Sequence, residues 1–294
     1  SMAVSIHGVA AKAGQKASGI IRITERLDGT AIGSPLTIIN GEEKGPKFWL
    51  MAGVHGGEVG GIEGAVRIAH DLSPRNVKGT LIIVPVANTT AFEVGSRFSP
   101  IDGKDLNRSF PGDAEGTFTE RLADKLFTAI TSTLTSNDFL LDLHGGGAIT
   151  YVEYSEEGEV GRRNKRFAEA SGVRILDRIL TEYGWGKIYA GTLGDALKKH
   201  GLQLQKITIE SDDPYPYILN ALKYAGIVEG KPTVPEERLY VGGTRVFATK
   251  RGLWIPKEKE GAFVKQGQII ATVMDFEGRL VEEVRSPFDG VIII

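Results

Sequence analysis

Short apolar runs alternating with amphipathic stretches give the first outline of this chain. Phe48-Trp49-Leu50-Met51-Ala52, Thr80 to Val86 and Phe139 to Leu143 are apolar at consecutive positions apart from Thr80 and Asp142, and read as strands buried on both faces. Glu58 to Asp71 places Ile62, Val66 and Ala69 along one side of a predicted helix. Thr117 to Leu134 is the clearest helix: Leu122, Leu126, Phe127, Ile130 and Leu134 form its stripe, and Thr117 with Glu120 has the spacing of a capping box. Arg162 to Ser171 and Thr192 to His200 read as helices ended by Gly172 and Gly201. Ile207-Thr208-Ile209 is a strand running into Glu210. This alternation predicts an α/β fold, a mixed, mostly parallel sheet with helices on both faces.

Past residue 226 the pattern changes. Pro232 and Pro235 mark a linker-like stretch, after which strands take over at Arg245-Val246-Phe247-Ala248, Gln268 to Val273 and Leu280 to Val284. The expected division is a catalytic domain over 1–226 and a small β-sandwich-like domain over 227–294. Glu260 to Ile270 and Ser286 to Val291 resemble half of a biotinyl/lipoyl-type sandwich, which carries a modifiable lysine at a hairpin tip. The corresponding turn, Asp275-Phe276-Glu277-Gly278-Arg279, has no lysine, so a structural role is expected rather than a carrier arm.

Composition narrows the possible chemistry. A net charge of -2 over 294 residues supplies no attraction for nucleic acid or an anionic membrane. The longest aliphatic run, Leu81 to Ala87, is broken by Pro85 and too short to span a bilayer. No export pattern opens the chain, and a cytoplasmic address is expected. Cysteine is absent, which excludes disulfides, thiolate nucleophiles and cysteine-ligated metals. Glycines flank two polar segments, Ala52-Gly53-Val54-His55-Gly56-Gly57-Glu58 and Leu141-Asp142-Leu143-His144-Gly145.

Those segments offer two imidazoles and a carboxylate, the donor set of a catalytic zinc with three protein ligands and one open position. Taken alone, His55 and Glu58 read as well as a loop histidine and an acid favoured by a helix N-terminus. However, His55, His144 and Glu210 all fall at or just past the carboxyl end of a predicted strand, the edge where open α/β sheets bind ligands. Asp142 shares the face of His144. It is a candidate to take the other ring N–H of His55, or to bind loop amides instead. Arg97, Asn107 and Arg108 lie in a turn-rich segment whose side chains suit carboxylate binding, or an ordinary solvated loop. Tyr151, Glu153 and Tyr154 are candidates to line a pocket.

The motifs H-G-G-E (55–58), D-L-N-R-S-F-P-G (105–112) and D-L-H-G-G (142–146), followed by the strand-end Glu210, resemble in this order the succinylglutamate desuccinylase/aspartoacylase family of the zinc carboxypeptidase superfamily. The resemblance spans roughly residues 47–212, and the β-rich tail also matches. It implies one Zn²⁺ per chain held by His55, Glu58 and His144, with Glu210 as acid and base. Arg97 would polarise the scissile carbonyl, while Asn107 and Arg108 would hold a substrate carboxylate. The implied activity is hydrolysis of a linear amide in a small N-acyl amino acid or related N-acyl amine. The implied partner is that small molecule, with no nucleic acid or membrane, and a homo-oligomer is compatible with it. In place of the glycine that follows this glutamate in many relatives, the chain has Ser211-Asp212-Asp213-Pro214. Acids there would disfavour a second anionic group or favour an amine-bearing substrate. A zinc carboxypeptidase acting on peptides would share metal and base, and a non-enzymatic binding module would rest on the tail.

Overall fold

The computed structural model describes residues 2–179 and 188–293. After a short hairpin of β1 (Val4–Ile6) and β2 (Val9–Ala11), the main sheet is built from nine strands among the described residues. These are β3 (Gln15–Glu25), β4 (Ala31–Asn40), β5 (Lys47–Met51), β6 (Thr80–Val84), β7 (Phe139–His144), β8 (Tyr151–Ser155), β9 (Ile175–Ile179), β10 (Gln205–Glu210) and β11 (Leu239–Val241). Their spatial order is β11-β9-β8-β10-β7-β5-β6-β4-β3. Pairing is parallel except at β8/β10, β4/β6 and β3/β4, the mixed, mostly parallel sheet that the apolar runs predict.

Among the described residues the α-helices are α1 (Val59–Asp71), α2 (Thr89–Glu93), α3 (Phe118–Thr133), α4 (Gly158–Ala170), α5 (Leu193–His200) and α6 (Tyr215–Tyr224). One sheet face puts Trp49, Met51, Ile82, Val84 and Leu140 in a core with α3 and α5; the other puts Phe48, Leu50, Leu81, Ile83, Leu141, Ile207 and Ile209 in a core with α1, α4 and α6. A strand covered on both faces is apolar at every position, which is why β5, β6 and β7 stand out in the sequence. The capping box of Thr117 and Glu120 starts α3, and Gly201, at φ 84°, ends α5.

Three details differ from expectation. Helix α1 does not bury Val66; its inner face is Gly61, Ile62, Gly64, Ala65 and Ile68. The glycines let it close on its neighbours: a Cβ at Gly64 would lie 2.9 Å from Pro214 Cγ, and one at Gly61 3.1 Å from Leu143 Cβ. Arg245 to Ala248 forms no strand. Strand β3 has no clear signal, because it is a sheet edge with most of its side chains in solvent.

The chain divides into two compact units, Ser1–Gly146 with Thr150–Gly242, and Gly147–Ile149 with Gly243–Ile294. The second holds β12 (Leu253–Pro256), β13 (Phe263–Val264), β14 (Ile269–Met274), β15 (Leu280–Arg285) and β16 (Gly290–Val291). They form two small sheets, β12-β14-β15 and β13-β16, with Val264, Ile270, Ala271, Val273 and Val284 as the core. Within this unit Glu260 accepts a hydrogen bond from the Ala148 N–H. No helix among the described residues is long and apolar enough to cross a membrane.

Register locates the chemistry. The face that is apolar at Trp49, Met51 and Leu140 turns polar across β7, β10 and β8. Leu140, Asp142 and His144 pair with Lys206, Thr208 and Glu210, and Thr208 and Glu210 pair in turn with Glu153 and Tyr151.

Candidate active site

His144 and Glu210 are the last residues of β7 and β10 and are register partners. Both side chains therefore leave the sheet on one face at its carboxyl edge. His55 reaches that edge through a loop that only glycine permits. Gly53 has φ 66°, and a Cβ on Gly56 would lie 2.1 Å from the backbone carbon of Ala91. Glu58 follows as the N-cap of α1.

His55 Nδ1 lies 2.8 Å from Glu58 Oε1, and His144 Nδ1 lies 3.0 Å from Glu58 Oε2. One donor atom from each of the three residues falls within 4.8 Å of the others. The opposite ring nitrogens are backed by carboxylates: His55 Nε2 is 3.0 Å from Asp105 Oδ1, and His144 Nε2 is 3.1 Å from Asp142 Oδ2. A carboxylate beside Nε2 of each ring favours a proton there, and in that tautomer the Nδ1 lone pair is available to a cation. Both histidines are buried, at 3% exposure.

The electrostatics of the cluster agree. Burial works to raise the Glu58 carboxyl, but its hydrogen bonds with His144 and His55 outweigh this and hold it at about 2. Burial works to lower His144, yet Asp142 and Glu58 together raise it well above the ordinary imidazole range. Glu210 behaves differently: burial pushes it up to about 8, with the charges of Glu153, Glu58 and Asp142 adding to the shift and His144 opposing it.

The arginine segment closes around Asp105. Arg97 Nε donates to Asp105 Oδ2 at 3.0 Å, and the Asn107 backbone N–H donates to Asp105 Oδ1 at 2.8 Å. Asp105 is held below the usual carboxylate range: burial opposes this, but His55 and Arg97 prevail. The Asn107 side chain accepts from the Leu193 N–H at the start of α5, and Arg108 Nη1 donates to the Asn107 carbonyl. Asp105 thus links the arginine segment to His55, a role the sequence reading did not assign. Its position at the head of D-L-N-R was the available signal.

Three further placements correct the reading. Asp142 backs His144, its own strand neighbour, and the carboxylate behind His55 is Asp105. Tyr154 faces away into the apolar core, since strand alternation puts it opposite Glu153. Asp212 accepts from the Gly146 N–H at 3.0 Å and so shapes the loop after His144.

Fold and site together define a mixed α/β protein with a His-Glu-His cluster and a raised carboxyl at the sheet's carboxyl edge. Residues 44–189 match the succinylglutamate desuccinylase/aspartoacylase catalytic domain. The chain is 32% identical over 93% of its length, and 85% of the relative's, to N-alpha-acetyl-L-2,4-diaminobutyric acid deacetylase of Halomonas elongata. It is also similar to the product-bound ectoine utilization protein EutE (DoeB) of Ruegeria pomeroyi (TM-score 0.82, 26% identity, 96% of this chain and 90% of that one). A succinylglutamate desuccinylase/aspartoacylase of Rhodobacter sphaeroides superposes with TM-score 0.80 at 25% identity, covering 94% and 88%. The chain belongs to the succinylglutamate desuccinylase/aspartoacylase family. It is a hydrolase of the deacylase class, cleaving the amide bond of a small N-acyl substrate.

Proposed function

We propose that this chain is a zinc-dependent deacylase of small N-acyl amino acids, among them those with a second, free amine. The observation that carries the reading is the convergence of His55 Nδ1, Glu58 and His144 Nδ1, each imidazole backed by its own carboxylate. Two imidazoles and one carboxylate suit zinc with an open coordination position. Bound there, zinc supplies Lewis acidity to the scissile carbonyl and lowers the pKa of water toward roughly 7.

The chain's own residues supply the rest. Glu210 is a carboxylate made basic by burial and by neighbouring acids, so it accepts a proton readily from the attacking water. Once protonated, it delivers that proton to the departing nitrogen, and the products are a carboxylic acid and an amine. Arg97 is tethered by its Nε to Asp105, and its terminal N–H groups donate to the carbonyl oxygen as charge develops there. Asn107 and Arg108 hold the substrate carboxylate, the planar guanidinium matching its two oxygens. The amine-bearing substrate is supported by the relative named for N-acetyl diaminobutyrate.

Elemental analysis together with an amine-release screen of N-acyl amino acids and short peptides tests this reading. One zinc per chain and turnover of the acyl amino acids are expected. Metal-independent turnover, or cleavage of peptides alone, would overturn it.

A further inference from the structure

Glu153 has been given no task so far. It lies on β8 opposite Thr208 of β10, on the same sheet face as Glu210. It is half-buried, and its Oε2 accepts from the Tyr189 hydroxyl at 2.5 Å. Among the described residues no lysine, arginine or histidine lies within ion-pair distance of it.

Among the described residues, one lysine of β10 shares this face. Lys206 shares the face, two positions before Thr208, and its Nζ donates to Thr208 Oγ1 at 2.9 Å. A Cβ at Gly194, in the first turn of α5, would lie 3.7 Å from that Nζ. Opposite charges on neighbouring strands of one face ordinarily pair. Among the described residues no ion pair joins these two; Glu153 stands beside Asp177 of β9 and accepts from one neutral hydroxyl, so this half-buried place favours an arriving cation.

We propose that Glu153, its rotamer fixed by Tyr189, is the specificity residue that binds the free ammonium of the substrate, so that the chain selects N-acyl diamino acids over uncharged or acidic ones. Glu153 stands one strand over and one pleat back from Glu210, about 7 Å along the strand. A short side chain can bridge that span while its acylated amine sits over Glu210. The acid-rich Asp212-Asp213 segment suggested an amine-bearing substrate, but Asp212 is engaged with the Gly146 N–H. Glu153 stands on the catalytic face outside the His-Glu-His cluster, beside its register partner Asp177 of β9.

This inference rests on the deacylase reading, and the test separates the two. Zinc-loaded wild type, Glu153→Gln and Glu153→Asp are assayed with Nα-acetyl-2,4-diaminobutyrate and with Nα-acetyl-2-aminobutyrate, which lacks the second amine. Wild type is expected to prefer the diamino substrate by on the order of 100-fold in kcat/KM, the range of a charged hydrogen bond. In Glu153→Gln the ratio should collapse toward 1, chiefly through KM, and Glu153→Asp should restore part of it. Calorimetric titration with the two amine products should show the same preference and the same loss without turnover. If wild type cleaves both substrates without preference, or Glu153→Gln keeps the ratio, the role of Glu153 is overturned and the deacylase reading stands. If wild type releases amine from neither, both are overturned.

Discussion

His55 Nε2 lies 3.0 Å from Asp105 Oδ1, so the first imidazole of the cluster is fixed from behind by a carboxylate fifty positions further along the chain. The same carboxylate takes the Nε of Arg97 on its other oxygen. Asp105→Asn should therefore cost more than a surface charge would. Supporting carboxylates of this kind are typically worth about 10–100-fold in metal affinity. Competition against a zinc-sensitive dye measures it, and affinity within twofold of wild type would remove Asp105 from this role.

Glu210→Gln tests the acid–base assignment. Metal content should stay at the wild-type level while kcat falls by about 10²–10⁴-fold, the usual range for a positioned acid or base. Equal loss of metal and activity would place Glu210 among the ligands.

The raised Glu210 carboxyl also predicts a pH dependence of stability in chelator-treated protein. A carboxyl whose folded pKa is about 8, above its ordinary 4.5, stabilises the fold below about 4.5. That contribution is lost as pH rises through 8. Thermal melts in chelator should show wild type losing stability relative to Glu210→Gln between pH 5 and 8, and added zinc should reduce the difference. Parallel curves would refute the shift.

Gly56→Ala should damage both fold and site. The added methyl would sit 2.1 Å from the Ala91 backbone, so the loop carrying His55 must move. Overpacking against backbone costs about 1–3 kcal/mol. A lowered melting temperature together with weakened zinc binding is expected; unchanged zinc affinity would show that the loop adjusts without displacing His55.

Arg108→Ala should raise KM for carboxylate-bearing substrates while largely sparing kcat, because it removes an anchor distant from the reacting bond. Steady-state kinetics on an acyl amino acid and its amide-capped analogue would show it. An equal effect on both would point away from the carboxylate.

Much of the fold was legible because its physics is local. β5, β6 and β7 are buried on both faces, and the stripe and capping box of α3 lie within one segment. The edge strand β3 left little trace, since a strand with most of its side chains in solvent has no strong pattern. In α1, Ile62 and Ala69 of the expected stripe pack on the core while Val66 is exposed, because the helix also buries glycine where a neighbour presses close, and a glycine carries no hydrophobic signal.

By itself, the sequence determined which residue types stand at the ends of which strands: imidazoles at 55 and 144, carboxylates at 58 and 210, no cysteine. Residue type and strand periodicity are properties of short stretches, so they survive without the fold. Only the tertiary structure decided which carboxylate backs which imidazole, and that Glu153 shares the face of Glu210. Those relations depend on register between strands far apart in the chain. A one-residue slip in register turns a side chain to the opposite face, and the sequence alone does not record which register the strands adopt.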